Sequence, residues 1–424
     1  MIKKHFYTFL DGIVFIAALF FVSKTNIIIH PDSSGYIDAS LIRSFGYPAF
    51  LFFHKYVFGI DYLNFVKYSQ FILIFFSAYV FKNTVNQYII KNKIYIFLLF
   101  LLLLLPLFFE SKIANSILSE GVSYALYLFF LSALLHLVYS EKASRVMIIL
   151  STMLLLILIN CRGQFLFLIP FLFIVLIFKH LKSKILVPKL VVLVLLIGLV
   201  FSISILVDKT YHKIKHQHFT STPWTGIQLA ALPFFISKES DSTLFKNETE
   251  KKYFVYIYKE LSHQKLLLHQ VPTDLYDYDF YATNFTTICN KTLSEYGELF
   301  FYNETKDIQT IKNDAITTKV AWILFKNHFF KWTSFVVKNL YNGFFSISNF
   351  LILIFVIVIS IFNYLKSKKD LYFTFAFFSL LIVLNLLLVA LVEPIISRYI
   401  FYNNWVYFVI LAFLIENSKQ NSLS

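Results

Sequence analysis

The stretch IYIFLLFLLLLLPLFF at residues 94–109 carries no charged side chain and a single hydroxyl, that of Tyr95. Comparable apolar runs occupy residues 191–207 and 351–362, and each approaches the roughly 20 apolar residues that cross the core of a bilayer. Lipid offers no hydrogen-bond partners to a backbone, so such runs must be helical. The whole chain is 58% hydrophobic with a mean hydropathy of +0.69, more apolar surface than a soluble fold buries. The sequence therefore predicts an all-α polytopic membrane protein.

The net charge of +14 invites a nucleic-acid partner, but its distribution argues against one. The basic residues occupy short gaps between apolar runs that fall on one side if the spans alternate. That is the positive-inside pattern, whose natural partners are membrane lipids. We therefore expect no nucleic acid to bind. The residues are Lys3, Lys4, Lys82, Lys91, Lys93, Lys142, Arg145, Lys179, Lys182, Lys184, Lys189, Lys366, Lys368 and Lys369.

Placing these gaps in the cytoplasm predicts about ten spans in the inner (plasma) membrane, with both termini cytoplasmic. The basic start and apolar stretch at the N-terminus lack a small-residue cleavage site and are interpreted as an uncleaved first helix. The predicted spans are about 9–28, 66–82, 94–109, 120–140, 146–160, 164–179, 189–207, 347–364, 371–392 and 400–416.

This topology predicts three regions. Residues 1–207 form a membrane domain with a first outer loop at 29–65, and residues 347–424 supply the last membrane helices and a cytoplasmic tail. Residues 208–346 lie outside and carry 14 of the 24 carboxylates, so we expect a mainly helical extracytoplasmic domain there. Aromatic residues interspersed with lysines over residues 329–345 predict a helix at the membrane interface.

The first outer loop contains the sequence HPDSSGYIDASLIRSFGYP at residues 30–48. An acidic residue just after a membrane span is costly unless it has a use or a partner. Asp32 therefore has two interpretations. It either caps a short helix by accepting backbone N–H bonds, or it acts as a chemical group.

The loop resembles the first-loop signature of the GT-C superfamily of membrane glycosyltransferases, which includes protein O-mannosyltransferases and aminoarabinose-to-lipid-A transferases. That signature has an acidic residue, a tyrosine four positions later, small residues, and then Arg followed by Gly-Tyr-Pro. Asp32, Tyr36, Arg43 and residues 46–48 match it. The looser matches are Gln70, Ser119-Glu120, Arg162 before an apolar run, and Arg398-Tyr399 before the last span.

The resemblance implies an inverting transfer of sugar from a polyprenyl phosphate to a periplasmic or cell-surface acceptor, either a polysaccharide, lipid A or another lipid. Asp32 would be the general base that accepts the hydroxyl proton. Arg162 and Arg398 would stabilise the leaving phosphate, with Arg43 and Lys112 as second choices. A lone arginine at a span end also has a simpler explanation, snorkelling to the interface. The implied substrate-binding set is Tyr36, Arg43, Glu120, Arg162, Arg398 and Tyr399.

Glu120 has three interpretations: it orients an acceptor, positions Arg162, or favours the start of a helix through the macrodipole. No metal ligand is assigned. Most GT-C members carry two close acids in this loop, whereas Asp38 lies six positions after Asp32, so a bound divalent metal is left open.

Three histidines in YHKIKHQH, residues 211–218, include His212 and His216 at a spacing that suits zinc on a helix. No third ligand accompanies them, and a solvated basic face is the favoured interpretation.

Two other functions fit a chain of many spans. An O-antigen polymerase or ligase also has a large outer loop, but residues 208–346 contain no arginine to bind pyrophosphate. A flippase or transporter of lipid-linked glycans would favour polar residues inside spans and two related halves, and neither is evident.

Overall fold

The computed structural model describes residues 2–109, 112–140, 144–181, 187–344 and 346–421. Within these ranges the chain is helical, and the only β contact is an isolated parallel bridge between Ile28 and Ser116. The all-α class predicted from the apolar runs is therefore confirmed for this part of the chain. Lys142, Lys182 and Lys184, which the charge pattern placed in cytoplasmic gaps, lie outside the described residues.

The helices follow one another with short connections, several of them 3₁₀ turns. The α-helices are α1 Ile2–Lys24, α2 Ser33–Ile37, α3 Gly46–Phe58, α4 Tyr62–Tyr88, α5 Lys93–Leu104, α6 Glu120–Tyr139, α7 Arg145–Cys161, α8 Leu168–Leu181, α9 Val187–His216, α10 Thr225–Ile236, α11 Glu248–His263, α12 Asp277–Thr286, α13 Lys306–Asn327, α14 Phe329–Gly343, α15 Ile347–Ser367, α16 Asp370–Val392, α17 Ser397–Ile400 and α18 Trp405–Asn421. A π-helix, Thr287–Tyr296, follows α12.

Seven helical segments among the described residues are long and apolar enough to cross a membrane, which is compatible with a membrane protein. Three predicted spans, 94–109, 146–160 and 164–179, coincide instead with shorter apolar helices, Lys93–Leu107, Arg145–Cys161 and Gly163–Lys179. The long segments are Phe6–Lys24, Gly46–Tyr88, Glu120–Tyr139, Val194–His216, Ile347–Ser367, Asp370–Val392 and Ser397–Ser418.

The chain divides into two compact units. The first comprises residues 1–208, 352–385 and 400–424, and the second comprises residues 209–351 and 386–399. The division after Asp208 lies next to the predicted boundary at 207/208. Residues 386–399 belong to the second unit, although the sequence placed them with the C-terminal membrane helices.

The first unit has one end at the loop that contains Asp32, here called the Asp32 end. Tyr47 of α3 donates a hydrogen bond to the Gln70 side chain of α4 over 3.1 Å. The amide of Gln70 then donates to the carbonyls of Ala114 and Ser116, 3.0 and 3.2 Å away. The Ile28–Ser116 bridge joins the same segment to the end of α1. Residues 113–120 therefore lie at the Asp32 end.

The opposite end of this unit, here called the Lys91 end, collects the other helix termini. Tyr88 at the end of α4 lies 2.9 Å from His136 in the last turn of α6. The backbone N–H of Lys91 donates to the Glu416 carboxylate of α18 at 3.1 Å. Thr374 in the first turn of α16 donates to the Tyr139 hydroxyl at 3.1 Å.

One charged residue departs from the predicted topology. Lys82 was placed in a cytoplasmic gap, but α4 continues to Tyr88 and the Lys82 side chain is only 4% exposed. Its ammonium pairs with Asp11 of α1 and lies over the Phe100 ring. The prediction failed because a partnered lysine can stay inside a helix bundle, and hydropathy does not show the partner.

The second unit has its own core around α10. Phe234, Phe235 and Ile236 of that helix are buried with Tyr253 and Phe254 of α11. At the other end of α10, a Cβ on Gly226 would lie 1.9 Å from the Thr318 hydroxyl and 2.5 Å from the Asp314 carbonyl of α13. Only glycine permits this approach of α10 to α13.

Candidate functional site

Asp32 is held by an arginine of its own loop. It occupies the N-cap position of α2 but makes no side-chain capping bond. Instead its Oδ1 accepts a hydrogen bond from Arg43 Nη2 at 2.8 Å. The interpretation of Asp32 as a helix cap is therefore wrong. Its side chain stays 34% exposed, so the carboxylate is reachable from solvent.

The remainder of the loop motif positions Arg43. Its guanidinium lies over the ring of Tyr36, 4.6 Å from the ring centre. A turn with Ala39 at φ +51° brings the chain back so that the two residues meet. A Cβ on Gly35 would lie 2.9 Å from Arg43 Nε, so the lack of a side chain at Gly35 leaves room for Arg43. The small residues of the motif thus allow Arg43 to fold back over α2.

Glu120 and Arg162 form a second ion pair at the same end of this unit. Glu120 begins α6 and its side chain is 2% exposed, while Arg162, 12% exposed, follows the last residue of α7. Arg162 Nη1 lies 2.8 Å from Glu120 Oε1. Arg162 is therefore mostly buried and paired with an acid of the same unit. Of the predicted roles of Glu120, positioning Arg162 is the one that this contact supports.

Ser119 connects the two ion pairs. Its Oγ lies 3.2 Å from the Tyr36 hydroxyl and accepts from Arg162 Nη1 at 3.4 Å. Asp32, Arg43, Tyr36, Arg162 and Glu120 therefore belong to one continuous polar network. We call these five residues and Ser119 the Asp32 network.

Two residues of this region escaped the sequence analysis. Gln164 accepts from Arg162 Nε at 2.9 Å and donates to Asn385 Oδ1 at 2.8 Å. Asn385 did carry a signal, since it is a lone amide within the apolar run of α16. A polar side chain inside such a run is costly without a partner. The partner itself lies 221 residues away in the chain, beyond the reach of local pattern.

The remaining candidates are Arg398, Tyr399, Lys112 and Asp38. Arg398 and Tyr399 belong to α17 in the second unit, where the Arg398 guanidinium lies 5.7 Å from the Tyr399 ring centre. Lys112 sits in a turn at φ +33°. Asp38 is the C-cap residue of α2, at the opposite end of that helix from Asp32.

Potential metal ligands do not converge in the described ranges, where no group of three or more His, Cys, Asp or Glu side chains lies together. The solvated face expected for the histidine motif is wrong for His212, which is fully buried and whose Nδ1 lies 3.1 Å from the Thr220 carbonyl. His216 lies 3.4 Å from Asp307. The turn after α9 folds back over His212, which the spacing alone does not reveal.

Comparisons of the chain with protein-family models, with curated proteins and with solved structures found no match. The chemistry of the site must therefore follow from its contacts. An ordered, partly exposed carboxylate can accept a proton. A planar guanidinium held by several acceptors has a fixed orientation toward any anion that reaches it.

Proposed function

We propose that the chain transfers a sugar from a polyprenyl-phosphate donor to a glycan or lipid acceptor at the outer membrane surface, with inversion. The observation that carries the proposal is the Asp32 network, in which residues from three separate parts of the sequence meet. They are the residues at which this chain resembles the GT-C glycosyltransferases. Asp32 is the general base that takes the proton of the acceptor hydroxyl, and Arg43 orients its carboxylate.

Arg162 is the cation for the leaving phosphate. Glu120 and Gln164 hold it in one orientation, so the charge needs little reorganisation when the phosphate departs. Arg398 is a second cation that we assign to the donor, on the resemblance alone. No metal is required by this scheme, although the phosphate oxygens of a donor would supply ligands for one.

The contacts of the first unit support about ten crossings. α4 runs from the Asp32 end to the Lys91 end, yet residues 113–120 lie again at the Asp32 end, so α5 and its 3₁₀ extension must return. α6 then leads from Glu120 to Tyr139, and α7 returns to Arg162 beside Glu120. α8 leads away once more, because Lys179 contacts the carbonyl of Ser140. Short helices therefore connect the same two ends of the first unit that the long helices connect.

This course of the chain also supports the predicted orientation. The basic residues of the gaps lie at or next to the Lys91 end. Lys91 follows α4, Arg145 begins α7, and Lys179 contacts Ser140 at the end of α6. The positive-inside rule places that end in the cytoplasm. The Asp32 network then faces the outside of the plasma membrane, and residues 209–346 form an extracytoplasmic domain.

The decisive test is Asp32→Asn in the purified, reconstituted protein. Asparagine keeps the shape of the side chain and an acceptor for Arg43 but cannot take a proton at this step. We expect transfer from a radiolabelled polyprenyl-phosphate sugar to fall by about 100-fold or more. Asp61→Asn, an exposed acid of the 3₁₀ turn between α3 and α4, is the matched control. Normal transfer by the Asp32→Asn protein, with equal expression, would rule out the base assignment.

The same material separates the other candidate functions. Cleavage of the labelled donor supports transfer, whereas movement of intact donor across a liposome membrane supports a flippase. Release of polyprenyl pyrophosphate from oligosaccharide donors, without use of polyprenyl phosphates, supports a polymerase or ligase.

A further inference from the structure

The charge of residues 208–346 is divided along the sequence. The 14 carboxylates of residues 208–346 all lie at or before Asp314. From there to the end of α14 the chain carries four lysines, at positions 319, 326, 331 and 338, and no acid. α14 and the second half of α13 are therefore a purely cationic part of an otherwise acidic segment.

α14 carries apolar side chains on both its buried and its exposed face. Its inner face buries Phe335, Val336 and Asn339. Its outer face is also apolar, with Phe330 exposed to 87% and Val337 to 58%. On a helix bathed in water the outer face would be polar. Aromatic and aliphatic groups therefore stand on the surface of α14 at the helical spacing of a continuous stripe.

The lysines flank this apolar stripe. Lys331 and Lys338 are both exposed and each follows a residue of the stripe, Phe330 and Val337. The end of α13 repeats the combination, because Trp322 is 57% exposed with Lys326 over its ring, 5.1 Å from the ring centre. Apolar side chains beside lysines are the composition of a helix that lies in the headgroup layer of a membrane.

We propose that the outer face of α14, with the end of α13, binds the surface of an anionic phospholipid leaflet. The occupant follows from charge, because four lysines without an acid complement anionic headgroups. It also follows from position in the chain. α14 ends at Gly343 and the apolar helix α15 begins at Ile347, so the two helix ends lie about 14 Å apart at most. In α15 only Leu353 and Ser360 are buried within the protein, so most of its apolar surface is available to lipid.

The test places an environment-sensitive fluorophore on α14 of the full-length protein. Ser334→Cys, on the exposed face, is labelled with NBD and reconstituted into nanodiscs of phosphatidylcholine, with or without phosphatidylglycerol. We expect a blue-shifted NBD emission, and quenching by lipids spin-labelled near the headgroup, that grow with the phosphatidylglycerol content. The unsubstituted chain controls for labelling of Cys161 and Cys289, both buried.

The lysines are then tested directly. Lys331→Gln with Lys338→Gln should remove most of the phosphatidylglycerol dependence, since each lysine near an anionic surface changes binding about fivefold. Lys252→Gln with Lys259→Gln, exposed lysines of the acid-containing helix α11, make an equal charge change and should leave it intact.

Three outcomes would overturn the proposal. Quenching that is the same in both lipid mixtures excludes an anionic surface as the partner. Emission typical of water in every mixture excludes any membrane contact. Oxidative cross-linking of unlabelled Ser334→Cys chains, with loss of lipid quenching, assigns the face to a second copy of this chain.

Discussion

Arg162 is held by three side chains at once. Its Nη1 contacts Glu120 and Ser119, and its Nε contacts Gln164. Only the planar fork of a guanidinium reaches acceptors in these different directions. These three contacts fix the orientation of the Arg162 guanidinium within the first unit.

We expect Arg162→Lys to keep the charge but lose the orientation. The loss of one charge-assisted bond corresponds to about 2 kcal/mol, or roughly a 30-fold fall in kcat/KM for sugar transfer. Steady-state kinetics with the polyprenyl-phosphate donor measures this. Arg145→Lys, an exposed arginine at the other end of α7, is the control and should change nothing.

Glu120→Gln separates two effects of the Glu120–Arg162 ion pair, the orientation of Arg162 and the stability of the fold. A fully buried charge that loses its partner destabilises a fold by about 3–5 kcal/mol, and Arg162, which is 12% exposed, should cost less than that. The Glu120→Gln protein should therefore show a lower Tm as well as lower activity, whereas Arg162→Lys keeps most of its Tm. A kcat/KM that is equal to that of the unsubstituted chain in both variants would show that Arg162 takes no part in transfer.

At the scale of helices, the start of α10 depends on a residue of another helix. Its N-cap residue, Trp224, supplies no capping oxygen. Asp314 of α13 takes that place, because its Oδ1 accepts from Gly226 N at 2.7 Å and from Ile227 N at 3.3 Å. Burial raises the pKa of the Asp314 carboxyl above its usual value, although the two N–H donors oppose that shift.

This raised pKa predicts how stability varies with pH. The folded state binds the proton of Asp314 more tightly than the unfolded state does, so stability falls as the pH rises from the usual carboxyl pKa through the raised one. Asp314→Asn keeps an acceptor oxygen without a charge and should flatten that part of the profile. The Tm of the detergent-solubilised protein between about pH 4 and 7 measures it.

Asp274→Asn is the control, since Asp274 is exposed and its replacement should leave the profile unchanged. An Asp314→Asn profile that is as steep as that of the unsubstituted chain would place the titration on another group.

Helices of this protein are predictable from the sequence where apolar runs are unbroken, as in α5 or α15. α3, Gly46–Phe58, was missed because it lies in the predicted first loop and exposes Phe52, Phe53 and Tyr56 on an apolar outer face. Within the site, one short motif singled out Asp32, Tyr36 and Arg43, but it did not predict the contact between Asp32 and Arg43. The roles of Ser119, Gln164 and Asn385 depend on contacts between distant segments, which periodicity does not contain.

At the scale of the whole molecule, hydropathy and contacts disagree about the number of crossings. Length and composition select seven helical segments among the described residues. α5 with its 3₁₀ extension covers only about 22 Å at 1.5 Å per residue, less than the roughly 30 Å of a bilayer core. Yet the segments on either side of α5 lie at opposite ends of the first unit. Tyr88, before α5, contacts His136 at the Lys91 end, and Ser116, after α5, contacts Gln70 at the Asp32 end. Local thinning of lipid accommodates such a mismatch at modest cost.

The two counts place the chain on opposite sides of the membrane beyond α9, so three cysteine variants decide between them. About ten crossings put Lys252→Cys outside and both Ser367→Cys and Ser418→Cys inside, whereas crossings by the seven long segments alone reverse all three. All three positions are exposed, and the native cysteines are buried. A membrane-impermeant maleimide applied to intact spheroplasts should therefore label only Lys252→Cys, and lysed cells should show all three labelled.

Labelling of Ser367→Cys and Ser418→Cys in intact cells, without Lys252→Cys, would place residues 209–346 in the cytoplasm. It would also remove α5, α7 and α8 from the membrane-crossing set, and with them the outward orientation proposed for residues 209–346.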